Sequence, residues 1–430
     1  MQYVTRDFGN ASFIFNTQTG DSLFLNGTLA SQALQCVNRS DFKLPETFLS
    51  QFNRQDQNDI LNDWSAIQQL VKKFLKGKSP SNENILNGPK EKNSLELLSE
   101  YAICNWVPIN VNLELTGRCN QRCRGCYLDN FDAKGLIKQH LFRLGNDLLA
   151  ENSLFLLLTG GEIFLRPDAM EIMNYYTKLG FILEIKTNGS LLNDKIIKDL
   201  SALTLLDVQI SIYEVSDGWS DYTQTVYPIK QIECSVKAMA DAGIPLTLSV
   251  LVGKHNIDRI REIHDYLLRL GVNIFYSPYI TPNRSGNGKA TSFRLSAKEM
   301  EGKLRPFLEE INGFTPQKIY RNCQDSLTVC YAGRDQIAIG PDGIVYPCLD
   351  LRLPLGNLLQ QPIKEILISR RKTMEQFSLR EMTQCNVCHL RDYCDSCIGI
   401  ALVENGDFRK PSRHKCDVIN FYSHKKEVKQ

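Results

Sequence analysis

The stretch Leu115-Thr116-Gly117-Arg118-Cys119-Asn120-Gln121-Arg122-Cys123-Arg124-Gly125-Cys126-Tyr127 holds three cysteines at C-x3-C-x2-C spacing. The odd number matters. Three thiolates hold three corners of a 4Fe–4S cube and leave one iron open to a substrate or cofactor. Four thiolates close the site and confine it to electron transfer or structure. The run follows an apolar strand candidate near 110–115, so it predicts chemistry at the end of a strand.

Outward from this run the chain alternates. Apolar strand candidates recur near 110–115, 154–158, 181–186, 206–212, 245–252 and 273–278, with amphipathic helices between them, for example over 168–178, 228–242 and 257–270. Six βα repeats predict an α/β fold, a parallel sheet with crossover helices over residues 107–300. Functional loops of such sheets gather at the carboxyl ends of the strands. Three more short motifs fall there: Thr159-Gly160-Gly161-Glu162, Lys186-Thr187-Asn188-Gly189 and Gln209-Ile210-Ser211-Ile212. Paired glycines let a ligand approach the backbone closely, and a neighbouring carboxylate can hold an ammonium group.

The flanks read differently. Residues 11–26 predict a β-hairpin, two aromatic-rich runs around a turn ending in Gly20. Helices follow near 28–37, 45–53 and 56–76, so residues 1–76 form a small domain of one hairpin plus helices, winged-helix-like in outline. Residues 77–106 read as a linker, rich at first in Lys, Ser, Asn, Gly and Pro. From 315 to 430 cysteine spacing dominates.

The composition, 43% hydrophobic and 23% charged, is that of a globular protein with material for a large core. A net charge of +2 gives no argument for nucleic acid or an acidic membrane surface. No apolar run is long enough to span a bilayer, and the first residues lack a secretion signal, so a cytoplasmic location is expected. Fourteen cysteines then point to metal rather than disulfides. Cys36, Cys104 and Cys234 stand alone and read as small buried hydrophobes. Eight others, Cys323, Cys330, Cys348, Cys385, Cys388, Cys394, Cys397 and Cys416, crowd the last quarter. Cys-x2-Cys pairs there are also compatible with zinc. His389 reads as structural, and Lys186 and Arg284 as carboxylate partners or solvated surface.

The cysteine trio, the Gly-Gly-Glu after the second strand and the six βα units resemble the radical S-adenosylmethionine (radical SAM) superfamily. The resemblance implies a partial (β/α)6 barrel in which Cys119, Cys123 and Cys126 ligate a 4Fe–4S cluster. Its open iron is chelated by S-adenosylmethionine, which is split to a 5′-deoxyadenosyl radical that abstracts a substrate hydrogen. It also implies that Gly160, Gly161 and Glu162 hold the methionyl ammonium, with Asn188 and Ser211 facing the cofactor's methionine or ribose. The position before the third cysteine, often aromatic and near the adenine in the family, is Gly125 here. Tyr127 is a candidate to compensate.

The later cysteines resemble the SPASM extension of the same superfamily, through Cys330, then Gly343-x4-Cys348, Cys385-x2-Cys388-x5-Cys394, Cys397 and Cys416. Two residues separate Cys394 from Cys397, where the family usually has three. The resemblance implies two auxiliary 4Fe–4S clusters, one on Cys323, Cys330, Cys348 and Cys397, the other on Cys385, Cys388, Cys394 and Cys416. Without Cys323 the first would keep an open iron, able to take a substrate thiolate. The N-terminal hairpin and helices resemble elements that bind the leader of a precursor peptide by adding it as a strand. The whole chain resembles subtilosin-type sactipeptide maturases, which join a cysteine sulfur to an α-carbon. That implies a precursor-peptide substrate and a flavodoxin or ferredoxin as reductant, with no nucleic-acid or membrane partner. Other outcomes in the class are carbon–carbon cross-linking and epimerisation. Other readings are a radical SAM enzyme acting on a tetrapyrrole or folded protein, and a zinc or iron–sulfur binding or electron-transfer protein. No catalytic base can be named from sequence.

Overall fold

Alternating apolar residues near the N-terminus build three strands. In a computed structural model that describes residues 2–39, 42–76, 93–286, 288–311, 330–394 and 396–423, β1 (Tyr3–Asp7), β2 (Ala11–Asn16) and β3 (Ser22–Asn26) form an antiparallel meander. The expected hairpin is β2–β3, with Phe13 opposite Phe24 and Gly20 at a φ of 75° in its turn. The first strand is an addition.

Both faces of this small sheet are covered. Ile14, Leu23 and Leu25 pack on helices α1 (Ala30–Arg39) and, beyond the short α2 (Glu46–Leu49), α3 (Arg54–Leu75), which contributes Trp64, Ile67, Val71 and Phe74. Val4, Phe13, Phe15 and Phe24 face the other way, onto Leu98 and Ala102 of α4 (Ser94–Asn105) and onto Ile109, Leu154 and Ile182 of the main sheet. Helix α4 lies where a linker is expected. Asn93 caps its start in a reciprocal box with Glu96, and Trp106 ends it in the left-handed region, φ 58°. The earlier part of that linker, 77–92, falls outside the described residues.

The main sheet follows the predicted alternation. Strands β4 (Asn110–Thr116), β5 (Phe155–Gly160), β6 (Ile182–Thr187) and β7 (Leu205–Ile212) run parallel in chain order. A small hairpin, β8 (Gly218–Ser220) and β9 (Thr225–Tyr227), interrupts the order. Strands β10 (Leu246–Leu251) and β11 (Asn273–Ser277) then complete the six. Helices α5 (Lys138–Ala150), α6 (Ala169–Lys178), α7 (Asp194–Leu200), α8 (Ile229–Asp241) and α9 (Ile260–Leu268) make the crossovers. Because each crossover returns the chain one strand further along, every functional loop leaves on the same side.

The C-terminal region extends this sheet, which the sequence did not suggest. Strand β12 (Gln336–Ile339) pairs parallel with β4, and β13 (Ile344–Tyr346) and β14 (Gly356–Asn357) continue antiparallel. Helices Ile363–Glu375, Ile398–Asn405 and Arg413–Ser423 follow. The N-terminal sheet is fastened to the opposite end of the strands. Buried Arg6 donates to the Ser153 carbonyl (3.0 Å) and the Gly180 carbonyl (2.8 Å), just before β5 and β6. Those carbonyls follow the carboxyl ends of α5 and α6, where a cation is favoured. No helix among the described residues is long and apolar enough to cross a membrane.

Candidate active site

The three thiols hang on a loop that leaves β4 and is tied down from three sides. The N–H groups of Arg122 and Arg124 donate to the carbonyls of Thr223 and Tyr222 in the β8–β9 turn, each at 2.9 Å. Asn283 donates to the Cys126 carbonyl at 2.7 Å. Asn188, at the end of β6, reaches Asn120 Oδ1 at 2.9 Å and Cys119 Sγ at 3.8 Å. The thiols stand at the rim of a cleft of about 900 Å³, open on one side. Gly160, Gly161, Lys186, Asn188, Ser211, Tyr213 and Tyr222 contribute to its walls. The expected strand-end motifs therefore do meet around one space.

Electrostatics shows what the trio lacks in isolation. Burial pushes all three thiols above the usual cysteine range, Cys126 to about 11 and Cys123 higher still. Neighbouring thiols add to the rise at Cys123 and Cys126. Such a set ionises when a bound metal compensates the charge. Among the described residues no three His, Cys, Asp or Glu side chains converge closely enough for a single metal ion. The donor set, three thiols on one loop lining an open cleft, suits a cluster with one corner left open.

The Gly-Gly-Glu motif is placed otherwise than expected. Gly160 has a φ of 124°, and a β-carbon on it or on Gly161 would strike the carbonyls of Thr116 or Arg118. The glycines let β5 end flush against the start of the cysteine loop, where Gly161 and Glu162 N–H donate to those carbonyls at 2.7 and 2.8 Å. Glu162 does not line the cleft. Its carboxylate is fully buried and accepts from Thr187 Oγ1 (2.8 and 2.9 Å), Asn188 N–H (2.8 Å) and Phe164 N–H (3.1 Å). Burial raises its pKa, and the three donors oppose the rise. Glu162 braces the β5 and β6 ends and so positions Asn188. The cleft receives the two glycines and Asn188.

Gly125 also has a structural reason. A side chain there would overlap the Tyr222 hydroxyl. Tyr222 is stacked on His255, centroids 3.9 Å apart, and packs near Tyr213 and Phe293. Tyr127 also lines the cleft; it is half-buried, and its hydroxyl lies 3.3 Å from Glu114 and 3.4 Å from the Gly160 carbonyl. The residue that occupies this space, Tyr222, comes from an irregular turn that carries no motif.

Sequence reasoning also missed Glu114. This fully buried carboxylate on β4 pairs with Arg284 and, at 3.2 Å, with Arg352 from the loop after Cys348. Two cations on one anion, with Tyr127 alongside, tie the cysteine loop to the C-terminal region. Arg284 is therefore a structural partner rather than solvated surface, whereas Lys186 does reach the cleft.

The later cysteines neighbour one another in the C-terminal region, Cys385 on the same apolar cluster as Cys330 and Cys348. Burial raises the Cys348 thiol, with further rises from Asp350 and Cys330. Both cysteines lie against an apolar cluster of Leu351, Met374, Leu379 and Ile398. Cys416 is pushed up to about 11 by burial and then by the charges of Cys394, Cys385 and Cys388. Cys397 precedes the helix Ile398–Asn405. Cys323 and the side chain of Cys36 lie outside the described residues. Cys104 and Cys234 are exposed rather than buried, because they sit on the solvent faces of α4 and α8. His389 is exposed as well.

Comparison with known proteins agrees with this arrangement. Residues 113–267 match the model of the radical SAM superfamily, and residues 330–397 match that of the SPASM iron–sulfur cluster-binding domain. The antilisterial bacteriocin subtilosin biosynthesis protein AlbA of Bacillus subtilis is 26% identical over 71% of this chain and 70% of its own length. The AdoMet-dependent heme synthase of Methanosarcina barkeri is 23% identical over 70% of this chain and 94% of its own. In fold, the chain is similar to Streptococcus suis SuiB bound to precursor peptide SuiA, with a TM-score of 0.61 and 13% identity over 96% of this chain and 98% of SuiB. The chain is a radical SAM enzyme whose C-terminal region carries a SPASM iron–sulfur domain.

Proposed function

We propose that the chain modifies a ribosomally made precursor peptide by joining a cysteine sulfur to the α-carbon of another residue. The observation that carries this is the pairing of an open cleft beside three thiols with further thiols in the C-terminal region, where the charges of Cys385, Cys388 and Cys394 act on Cys416. Similarity to the subtilosin biosynthesis protein and to the fold of a protein bound to a precursor peptide supports the choice of substrate. In this reading Cys119, Cys123 and Cys126 hold the S-adenosylmethionine cluster. Cys323, Cys330, Cys348 and Cys397 hold one auxiliary 4Fe–4S cluster, and Cys385, Cys388, Cys394 and Cys416 the other, three in all. Bound there, the clusters and S-adenosylmethionine supply a 5′-deoxyadenosyl radical and an acceptor for a second electron.

The chain's own residues do the positioning. The backbone of Gly160 and Gly161 and the side chains of Asn188, Ser211 and Lys186 line the cofactor's side of the cleft. Tyr213, Tyr222, Leu251 and Tyr279 give it aromatic and apolar walls that exclude water. Among the described residues no further strand pairs with the outer edges of the N-terminal sheet at β1 and β3, onto which a leader peptide could add. Residues 1–76 serve recognition, 107–300 radical chemistry and 315–430 the auxiliary clusters, in the cytoplasm and with a flavodoxin or ferredoxin as electron donor.

The test is mass spectrometry of a small cysteine-containing peptide encoded beside this gene, incubated with the reconstituted enzyme, S-adenosylmethionine and reductant. Each link removes a hydrogen atom from carbon and a proton from sulfur, so a loss of about 2 Da per link, with the thiol consumed, is expected. An unchanged mass with inverted residues overturns the proposal. A tetrapyrrole is the second reading, favoured by the similarity to a heme synthase over nearly all of that protein. Turnover of a porphyrin precursor with no change in any peptide selects it.

A further inference from the structure

We propose that the outward face of the cysteine loop, together with the outer face of the β8–β9 hairpin, is the docking surface of a small acidic one-electron carrier protein of the flavodoxin kind. The proposal rests on the assignment of a cluster to Cys119, Cys123 and Cys126. The identity of the substrate does not enter.

Arginines alternate with the thiols in this loop. Arg118, Arg122 and Arg124 are all exposed, while the half-buried cysteines turn to the cleft. The chain as a whole has only a slight basic excess, 50 Lys and Arg against 48 Asp and Glu. Three arginines within seven residues are therefore a local concentration. Arg122 is held on backbone, donating to the carbonyls of Cys119 (2.5 Å) and Gln121 (2.9 Å), with its guanidinium 4.5 Å from the Phe131 ring. Among the described residues no carboxylate forms an ion pair with any of the three.

The hairpin adds an apolar anchor. Its turn is bonded to the loop through the carbonyls of Tyr222 and Thr223, so the two form one surface. Trp219 and Val226 face each other across the strand pair and are 65% and 69% exposed, whereas Ser220 and Tyr227 beside them are buried. Of the acids on the hairpin, Asp217 is paired with Lys230 at 3.6 Å, and Asp221 accepts from Trp219 Nε1 at 3.3 Å. A tryptophan anchor on the hairpin, beside a loop whose three arginines have no ion-pair partner among the described residues, suits a partner that is acidic, steered by charge and only briefly bound. One electron passes from the reduced carrier to the cluster, and the carrier is oxidised by that one electron.

The test uses the full-length reconstituted enzyme and a reduced bacterial flavodoxin, following the cluster's absorbance by stopped flow at several salt concentrations. The wild-type rate is expected to fall steeply with salt. Arg118→Gln with Arg124→Gln, and separately Trp219→Ser, are expected to slow flavodoxin-driven reduction by about tenfold. Iron content, S-adenosylmethionine affinity and reduction by dithionite stay at wild-type levels. A salt-independent wild-type rate, or full-speed reduction by flavodoxin in these variants, overturns the proposal. Should the arginine changes lower iron content, Trp219→Ser and Val226→Ser, on the hairpin's outer face, decide alone. Failure of the underlying cluster assignment shows separately, as iron content unchanged by replacing Cys119, Cys123 and Cys126.

Discussion

Gly125 and Tyr222 claim the same space, one from the cysteine loop and one from the β8–β9 turn. A β-carbon at position 125 would meet the Tyr222 hydroxyl first and its ring next. The pair is reciprocal: glycine is needed because the tyrosine is there, and the tyrosine closes the wall that glycine leaves open. Gly125→Ala is therefore expected to cost about 1–3 kcal/mol through overpacking and to weaken S-adenosylmethionine binding about tenfold. Gly125→Ala with Tyr222→Phe removes the colliding oxygen and should recover most of the affinity. Titration calorimetry on the reconstituted proteins reads both.

Glu162 provides a second test, because bracing and cofactor contact make different predictions. Its carboxylate satisfies three donors inside the protein. Glu162→Gln should lose about 1–3 kcal/mol of stability and lower the unfolding temperature even without cofactor. Weaker cofactor binding at unchanged stability would instead place the carboxylate on the ligand.

The buried Glu114 holds two arginines, Arg284 and Arg352. Glu114→Gln leaves both cations without their anion and should cost roughly 3–5 kcal/mol. Arg352→Met should cost less, since Arg284 still neutralises the carboxylate. Limited proteolysis is the direct measure, with faster cleavage of the C-terminal region in Glu114→Gln.

A pH dependence follows from Asp335, which packs between α4 and the main sheet. Burial raises its pKa from an ordinary 3.8 to about 6, and one carboxylate oxygen has no partner. The folded form thus keeps its proton longer than the unfolded form. Stability is expected to fall as pH rises from 3.8 to about 6 and to stay lower above that. The full cost is roughly 2–3 kcal/mol. Asp335→Asn should raise the unfolding temperature above about pH 7 and give no advantage below about pH 4. Thermal melts across that range show whether the gain disappears on acidification.

Metal content tests the two proposed groups of later cysteines. Cys416→Ala should lower bound iron by up to about four atoms per chain while S-adenosylmethionine binding persists. Cys119→Ala should abolish that binding while iron in the C-terminal region remains.

The six parallel strands were legible because their apolar runs are long and evenly spaced, and the cysteine trio because its spacing leaves little else for it to be. β1 was not, since Tyr3-Val4-Thr5-Arg6-Asp7 mixes charge into its alternation and buries Arg6 against carbonyls of another region. Helix α4 was hidden behind a polar stretch and announced only by Asn93 and Glu96. The direction of a side chain left no trace in sequence. Glu162 follows two glycines that look made for a ligand, yet it turns inward to Thr187 and Asn188. Tyr222 could not be paired with Gly125 without knowing that the β8–β9 turn folds back on the cysteine loop.

The N-terminal sheet rests at the amino ends of β4, β5 and β6, through Ile109, Leu154 and Ile182, whereas the cleft opens at their carboxyl ends. A peptide gripped by that sheet and reacting in the cleft must travel the length of the strands. β5, with six residues, is ~20 Å long. At about 3.3 Å per extended residue, six or more residues must separate the anchored segment from the first reactive position. If the N-terminal sheet grips the leader as proposed, the enzyme acts as a ruler, and adding or deleting residues in that stretch of the peptide moves the modification along it.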